Sequence, residues 1–160
     1  MVVTPQATSF SARSPVVVVD PPDVETHDCP AVIATNRDGA LAAMDYLISL
    51  GHRRIGFISG RPDLQAPPAV FKATWTAWPV PASPWVAELI QAGDFARQAG
   101  FGCARRLLNL SDPPTAILAS NDGAAIGAIK AIHEAGLCVP DDVSVVGFDG
   151  VPDARTLTLA

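Results

Sequence analysis

The chain is predicted to fold as a parallel α/β structure, and three features of its sequence carry that expectation. Its apolar runs are short, rich in β-branched residues, and end in polar or glycine-containing groups. Helix-period segments lie between them and stop at a glycine. One plan (helix, glycine stop, short polar link, apolar strand, glycine) occurs twice, in LISLGHRRIGFISG and in IHEAGLCVPDDVSVVGFDG. Strand–helix–strand repetition with short links implies right-handed parallel units.

The elements follow in order. Val16–Val19 is a wholly apolar run before Asp20 and the breakers Pro21-Pro22-Asp23, and it suits a strand covered on both faces. Val32-Ile33-Ala34 is a second short strand, ending at Thr35-Asn36. From Asp38 to Ser49 the residues Leu41, Met44, Leu47 and Ile48 recur at helical spacing, with Gly51 placed as the stop. Ile55 to Ile58 is the next strand. Ala116 to Ala119 is another, and Ser120-Asn121 can cap the helix that follows. That helix carries Ile126, Ile129 and Ile132 on one side and stops at Gly136. Val143 to Val146 is the last strand.

One stretch breaks the plan. Ala66 to Val86 holds Trp75, Trp78 and Trp85 and five prolines, shows no period of two or 3.6, and offers no continuous helix where an α/β plan needs one.

Composition narrows the function. With 49% hydrophobic and 17% charged residues over 160 positions, a buried core is feasible and general disorder is excluded. A net charge of −5 without a Lys/Arg run makes this segment a poor nucleic-acid binder by itself. Cys29, Cys103 and Cys138 have no metal-ligand spacing and are expected to be reduced and buried. The polar stretch Met1 to Ser14 has no basic start or long apolar core, and no run approaches membrane-spanning length. A cytoplasmic location without membrane contact is expected. No phosphate loop, HExxH or GxSxG is present, and His27, His52 and His133 have no nucleophile at a recognisable spacing. The expectation is a non-enzyme that needs no cofactor. His52-Arg53-Arg54 reads as a solvated link.

Each strand ends in a polar or glycine-containing group: Asp20, Asn36, Ser59-Gly60, Ser120-Asn121-Asp122 and Phe148-Asp149. Parallel sheets bind ligands outside the carboxyl ends of their strands. Acceptors, donors and an aromatic there suit a polyhydroxylated or small polar metabolite. Each residue also has a plainer role. Asp122 sits where a helix dipole welcomes a carboxylate, Ser120 or Asn121 can be simple caps, Asp20 precedes two prolines as turn residues do, and Phe95 can be core packing.

These motifs resemble the effector-binding core of the LacI/GalR family of bacterial transcription regulators. VVVVD, TNRDGA, YLISLGHRRIGFISG and GRPDLQ carry the likeness from Val16 to Leu64. AGDF, PPTAILASNDGAAIGAIKAI, EAGLCVPDDVSVVGFDG and ARTLTLA carry it from Leu89 to Thr158. The resemblance implies a periplasmic-binding-protein-like fold of type I, with two Rossmann-like subdomains and a ligand cleft. It places residues 1–36 in a partial N-terminal subdomain, 37–149 in a nearly complete C-terminal one, and 150–160 at the start of the return crossover. It implies a small-molecule, sugar-like effector and a homodimer. Operator DNA would be reached only through an N-terminal headpiece that this sequence does not contain. Carried over by position, Asp122 would hydrogen-bond effector hydroxyls, Asp20 and Phe95 would line the cleft, and Asn36 would sit at the crossover.

Two departures stand out. The first strands of the N-terminal subdomain are expected to be missing. The helix that should carry an effector-clamping arginine falls in Ala66 to Val86, which contains no arginine. Read one nucleotide earlier with GC-rich codons, Val70 to Trp85 becomes LQGYLDGLARAGIPV, a helix-like sequence resembling the family's at this place. A compensated frameshift is the resulting expectation. The competing functions are an extracytoplasmic sugar-binding protein of a transporter, which shares the fold, and a small α/β enzyme.

Overall fold

The computed structural model describes residues 2–3, 17–19, 30–32, 34–61 and 87–153. Two parallel sheets form, as three-residue β-branched runs and alternating buried strands dictate. The first contains β1 (Val2–Val3), β2 (Val17–Val19) and β3 (Ala31–Val32) in that order. Val18 pairs with Val3 on one side and Ala31 on the other, and is fully buried. The strand Val2–Val3 lies ahead of Val16–Val19, the first strand read from the sequence. The next strand comprises Ala31–Val32 and does not extend to Ala34.

The second sheet contains β4 (Ile55–Ser59), β5 (Ile90–Ala92), β6 (Ala116–Ala119) and β7 (Ser144–Val146), in the order β5-β4-β6-β7. Every pairing is parallel. Alternation along β4 and β6 sends side chains to two helical layers, which is why both strands are apolar throughout. Ile55, Phe57, Ala116 and Leu118 pack against Met44 and Leu47 of α1 (Asn36–Ser49). Ile58, Ile117 and Ala119 pack against α2 (Arg97–Leu108) and α3 (Asp122–Glu134). The buried surface of α3 is mainly alanine and glycine (Ala124, Ala125, Gly127, Ala128, Ala131) together with Ile132, while Ile126 and Ile129 are only half-buried. The isoleucine stripe expected from the sequence is therefore the margin of the contact. Small residues let α3 approach α2 closely.

The turn chemistry agrees with the sequence at both glycine stops. Gly51 and Gly136 take φ of +97° and +77°, and their N–H groups bond back to the Ile48 and His133 carbonyls. The link after α1 is more tightly held than a solvated link. His52 is half-buried, its Nδ1 within 2.9 Å of Thr115 Oγ1 and its Nε2 within 3.0 Å of Ser144 Oγ, so it joins the starts of β6 and β7. Arg54 pairs with Glu88 and Asp112. Cys103 is buried as expected, with its thiol pushed up by burial, whereas Cys138 is exposed; both are free. Among the described residues, no helix is long and apolar enough to cross a membrane.

Candidate effector-binding edge

The strand order decides where a ligand fits. From β4 the chain moves to β5 on one side and then to β6 on the other. The order therefore reverses between β4 and β6, and in open α/β sheets the crevice outside the carboxyl ends at such a reversal is the ligand site. Ser59-Gly60, Gly93 to Phe95, Ser120 to Asp122 and Gly147 to Gly150 all leave their strands at this edge.

Three of these groups lock to one another. Asn121 caps α3 by accepting from Ala124 N at 2.8 Å, as its position before the helix predicts, and its Nδ2 donates to Phe95 O at 3.0 Å. Gly123 presses on that same Phe95 carbonyl, which a Cβ would approach to 2.7 Å. Phe95, at φ +72°, is held in a left-handed conformation that a bulky residue rarely adopts. Its half-buried ring lies across Gly60, where a Cβ would come within 1.9 Å of it. Phe95 thus packs on the end of β4 and borders the crevice at once.

Asp122 is only 6% exposed. Its N–H donates to Phe148 O at 2.8 Å, its Oδ2 accepts from Val151 N at 2.7 Å, and its Oδ1 lies over Gly147. The carboxylate binds the turn after β7 to the start of α3. On that turn Asp149 is exposed, at φ +95°, and its pKa is raised by partial desolvation and by the neighbouring Asp122 charge. The sequence places Asp149 at a strand end and assigns it no site role. Its signal was the glycine-flanked position after β7, beside Asp122 in space. Arg97 pairs with Asp153 across the rim.

Asn36 opens α1 and is exposed. The sequence placed it at a strand end, but β3 stops at Val32. As the first residue of a helix running back along the sheet, Asn36 still reaches the carboxyl edge, because Gly39 one turn on touches the Phe148 ring. Asp20 lies outside the described residues, as does the stretch 66–86 for which a frameshift is expected. Among the described residues no group of three or more His, Cys, Asp or Glu side chains could hold a metal ion.

Comparison with known proteins places the chain in a family. The periplasmic binding protein-like domain family matches residues 44–159. The HTH-type transcriptional repressor PurR of Mannheimia succiniciproducens is 36% identical over 145 residues, covering 88% of this chain and 42% of its own length. A LacI-family regulatory protein from Chloroflexus aggregans superposes with TM-score 0.79 at 30% identity, over 89% of this chain and 51% of that one. A sugar-binding LacI-family regulator from Escherichia coli, complexed with phosphate, gives 0.75 at 29%, over 89% and 51%. The chain spans between two-fifths and about half of the length of these proteins. With a family match over most of its length and a fold shared at these levels, the chain belongs to the periplasmic-binding-protein-like effector-binding domains of the LacI/GalR regulators.

Proposed function

We propose that this domain binds a small, hydroxyl-rich or otherwise polar effector at the carboxyl edge of the β4–β6 crevice, as the sensing part of a transcription regulator. The observation that carries the reading is the convergence of Phe95, Asn121, Asp122 and Asp149 at the point where the strand order reverses. Phe95 offers an aromatic face for C–H surfaces, and exposed Asp149 offers carboxylate oxygens to ligand hydroxyls. Buried Asp122 orients the turn that carries Asp149. Asp20 and Asn36 join the proposal as contributions from the remainder of the cleft. The two-subdomain division at residue 36, a cytoplasmic location, homodimerisation, and operator binding through a headpiece belong to it as well. They rest on the LacI-family relatives, which also favour a regulator over a transporter's sugar-binding protein and over an enzyme.

Calorimetric titration of the chain with D-glucose, D-galactose, D-ribose and adenine tests the reading. At least one probe should bind, and Phe95→Ala and Asp149→Asn should each weaken it about tenfold, the size of one strong contact. Binding that neither substitution alters would place the ligand elsewhere.

A further inference from the structure

We infer that the Ser120 hydroxyl is a ligand-recognition group at the switch point, exchanging a hydrogen bond with a hydroxyl or amide of the effector. This rests on the effector reading above and adds a residue to its site. Ser120 follows β6 directly, and its N–H donates to Ile58 O at 2.9 Å, so the ladder between β4 and β6 continues through it and fixes its backbone. Alternation puts its side chain on the Leu118 face, level with Ser59 across the strand gap. Its Oγ is buried and has no hydrogen-bond partner, the one such side-chain atom among the described residues.

The neighbours do not supply that partner. Ser59 Oγ directs its proton to the carbonyl of Gly60 at 3.1 Å. Asn121 Oδ1 accepts from Ala124 N, its Nδ2 donates to Phe95 O, and Asp122 Oδ2 accepts from Val151 N. A buried hydroxyl without a partner disfavours the folded chain, and alanine in its place would not. Its location gives the orphan a use, since the crevice at the strand-order reversal begins at this residue. The turns on either side, at Phe95 and at Asp149, hold positive φ, and the side chains of Asn121 and Asp122 tether them.

The test is Ser120→Ala, measured both for stability and for binding. In urea unfolding without added ligand, the midpoint should stay where it is or rise. Affinity for whichever of D-glucose, D-galactose, D-ribose or adenine binds the parent chain should fall about fivefold, the size of one neutral hydrogen bond. Ser111→Ala, on an exposed loop at the opposite end of the sheet, should change neither quantity. A lower midpoint for Ser120→Ala would show that the hydroxyl has a protein partner and overturn the inference. Unchanged affinity would overturn it while leaving the effector reading in place. Absence of binding by the parent chain to all four probes would remove both.

Discussion

Two glycines two residues apart on α2 should respond to the same substitution with opposite signs. At Gly100 a Cβ would stand 2.2 Å from the Ala124 carbonyl oxygen, 2.6 Å from its Cα and 2.8 Å from its carbonyl carbon. All three are main-chain atoms, so no side-chain rotation relieves the clash. Helices α2 and α3 would have to part by about 1 Å to restore ordinary contact, which lies at 3.4 Å and beyond. The contact that would open is close-packed: Ala104, Leu107, Ala128 and Ile132 are 0% exposed. Replacing glycine by alanine in a helix contributes at most about 1 kcal/mol of stability. Overpacking a dense core costs about 1–3 kcal/mol, and a backbone clash belongs at the upper end. Gly100→Ala should therefore destabilise the domain by about 1–2 kcal/mol. At Gly102 the nearest group to an added Cβ is the Arg106 guanidinium at 3.6 Å, so Gly102→Ala should stabilise by about 0.5–1 kcal/mol. Urea unfolding followed by far-ultraviolet circular dichroism measures both. A Gly100→Ala protein as stable as the parent, or equal losses at both positions, would refute the close-approach argument. The consequence reaches the crevice, because parting these helices also separates Phe95 from Asn121.

Asn121→Ala removes the cap of α3 and the tether of the Phe95 turn. It should cost about 1–2 kcal/mol in urea unfolding and weaken effector binding in calorimetry. Asp149→Asn should stabilise the protein at neutral pH. The carboxyl's pKa is raised on folding, so the folded chain holds its proton more tightly than the unfolded one, and the parent loses stability as pH rises from the ordinary carboxylate value through that raised range. The gain of Asp149→Asn should vanish below the ordinary value, and a gain that persists in acid would contradict the charge argument. His52→Ala breaks two bridges at the opposite edge of the sheet and should cost about 1–2 kcal/mol in thermal or urea unfolding, with calorimetric affinity unchanged. A loss of affinity there would place His52 in a path to the crevice.

Much of the architecture was legible because it is encoded locally. The parallel α/β class, β4 and β6, the glycine stops at Gly51 and Gly136, and the Asn121 cap each depend on a few neighbouring residues whose turn chemistry and apolar pattern agree. Strand β5 is three residues long and follows a single turn of 3-10 helix, Ala87–Leu89, so it carries no period to read. In α2, Gly100, Gly102 and three arginines obscure the apolar stripe, yet Gly100 and Gly127 are what let the two helices touch.

The candidate site was legible as a set of polar strand ends, and the tertiary structure shows which of those groups bond to one another within the fold. Asp122 reads as an acceptor or a cap from its place in the sequence, and only the tertiary structure shows its Oδ2 accepting from Val151 N of the neighbouring turn. The pKa of Asp149 is raised first by desolvation and then by the charge of Asp122, 27 positions away in the chain, and no local pattern encodes either surrounding. The strand order β5-β4-β6-β7 sets which polar ends meet, through contacts between segments far apart in sequence. Local sequence determined which elements form and where they turn. The long-range packing of those elements decided which polar groups are consumed by the fold and which are left to face a ligand, because hydrogen-bond satisfaction and desolvation depend on neighbours that only the folded chain brings together.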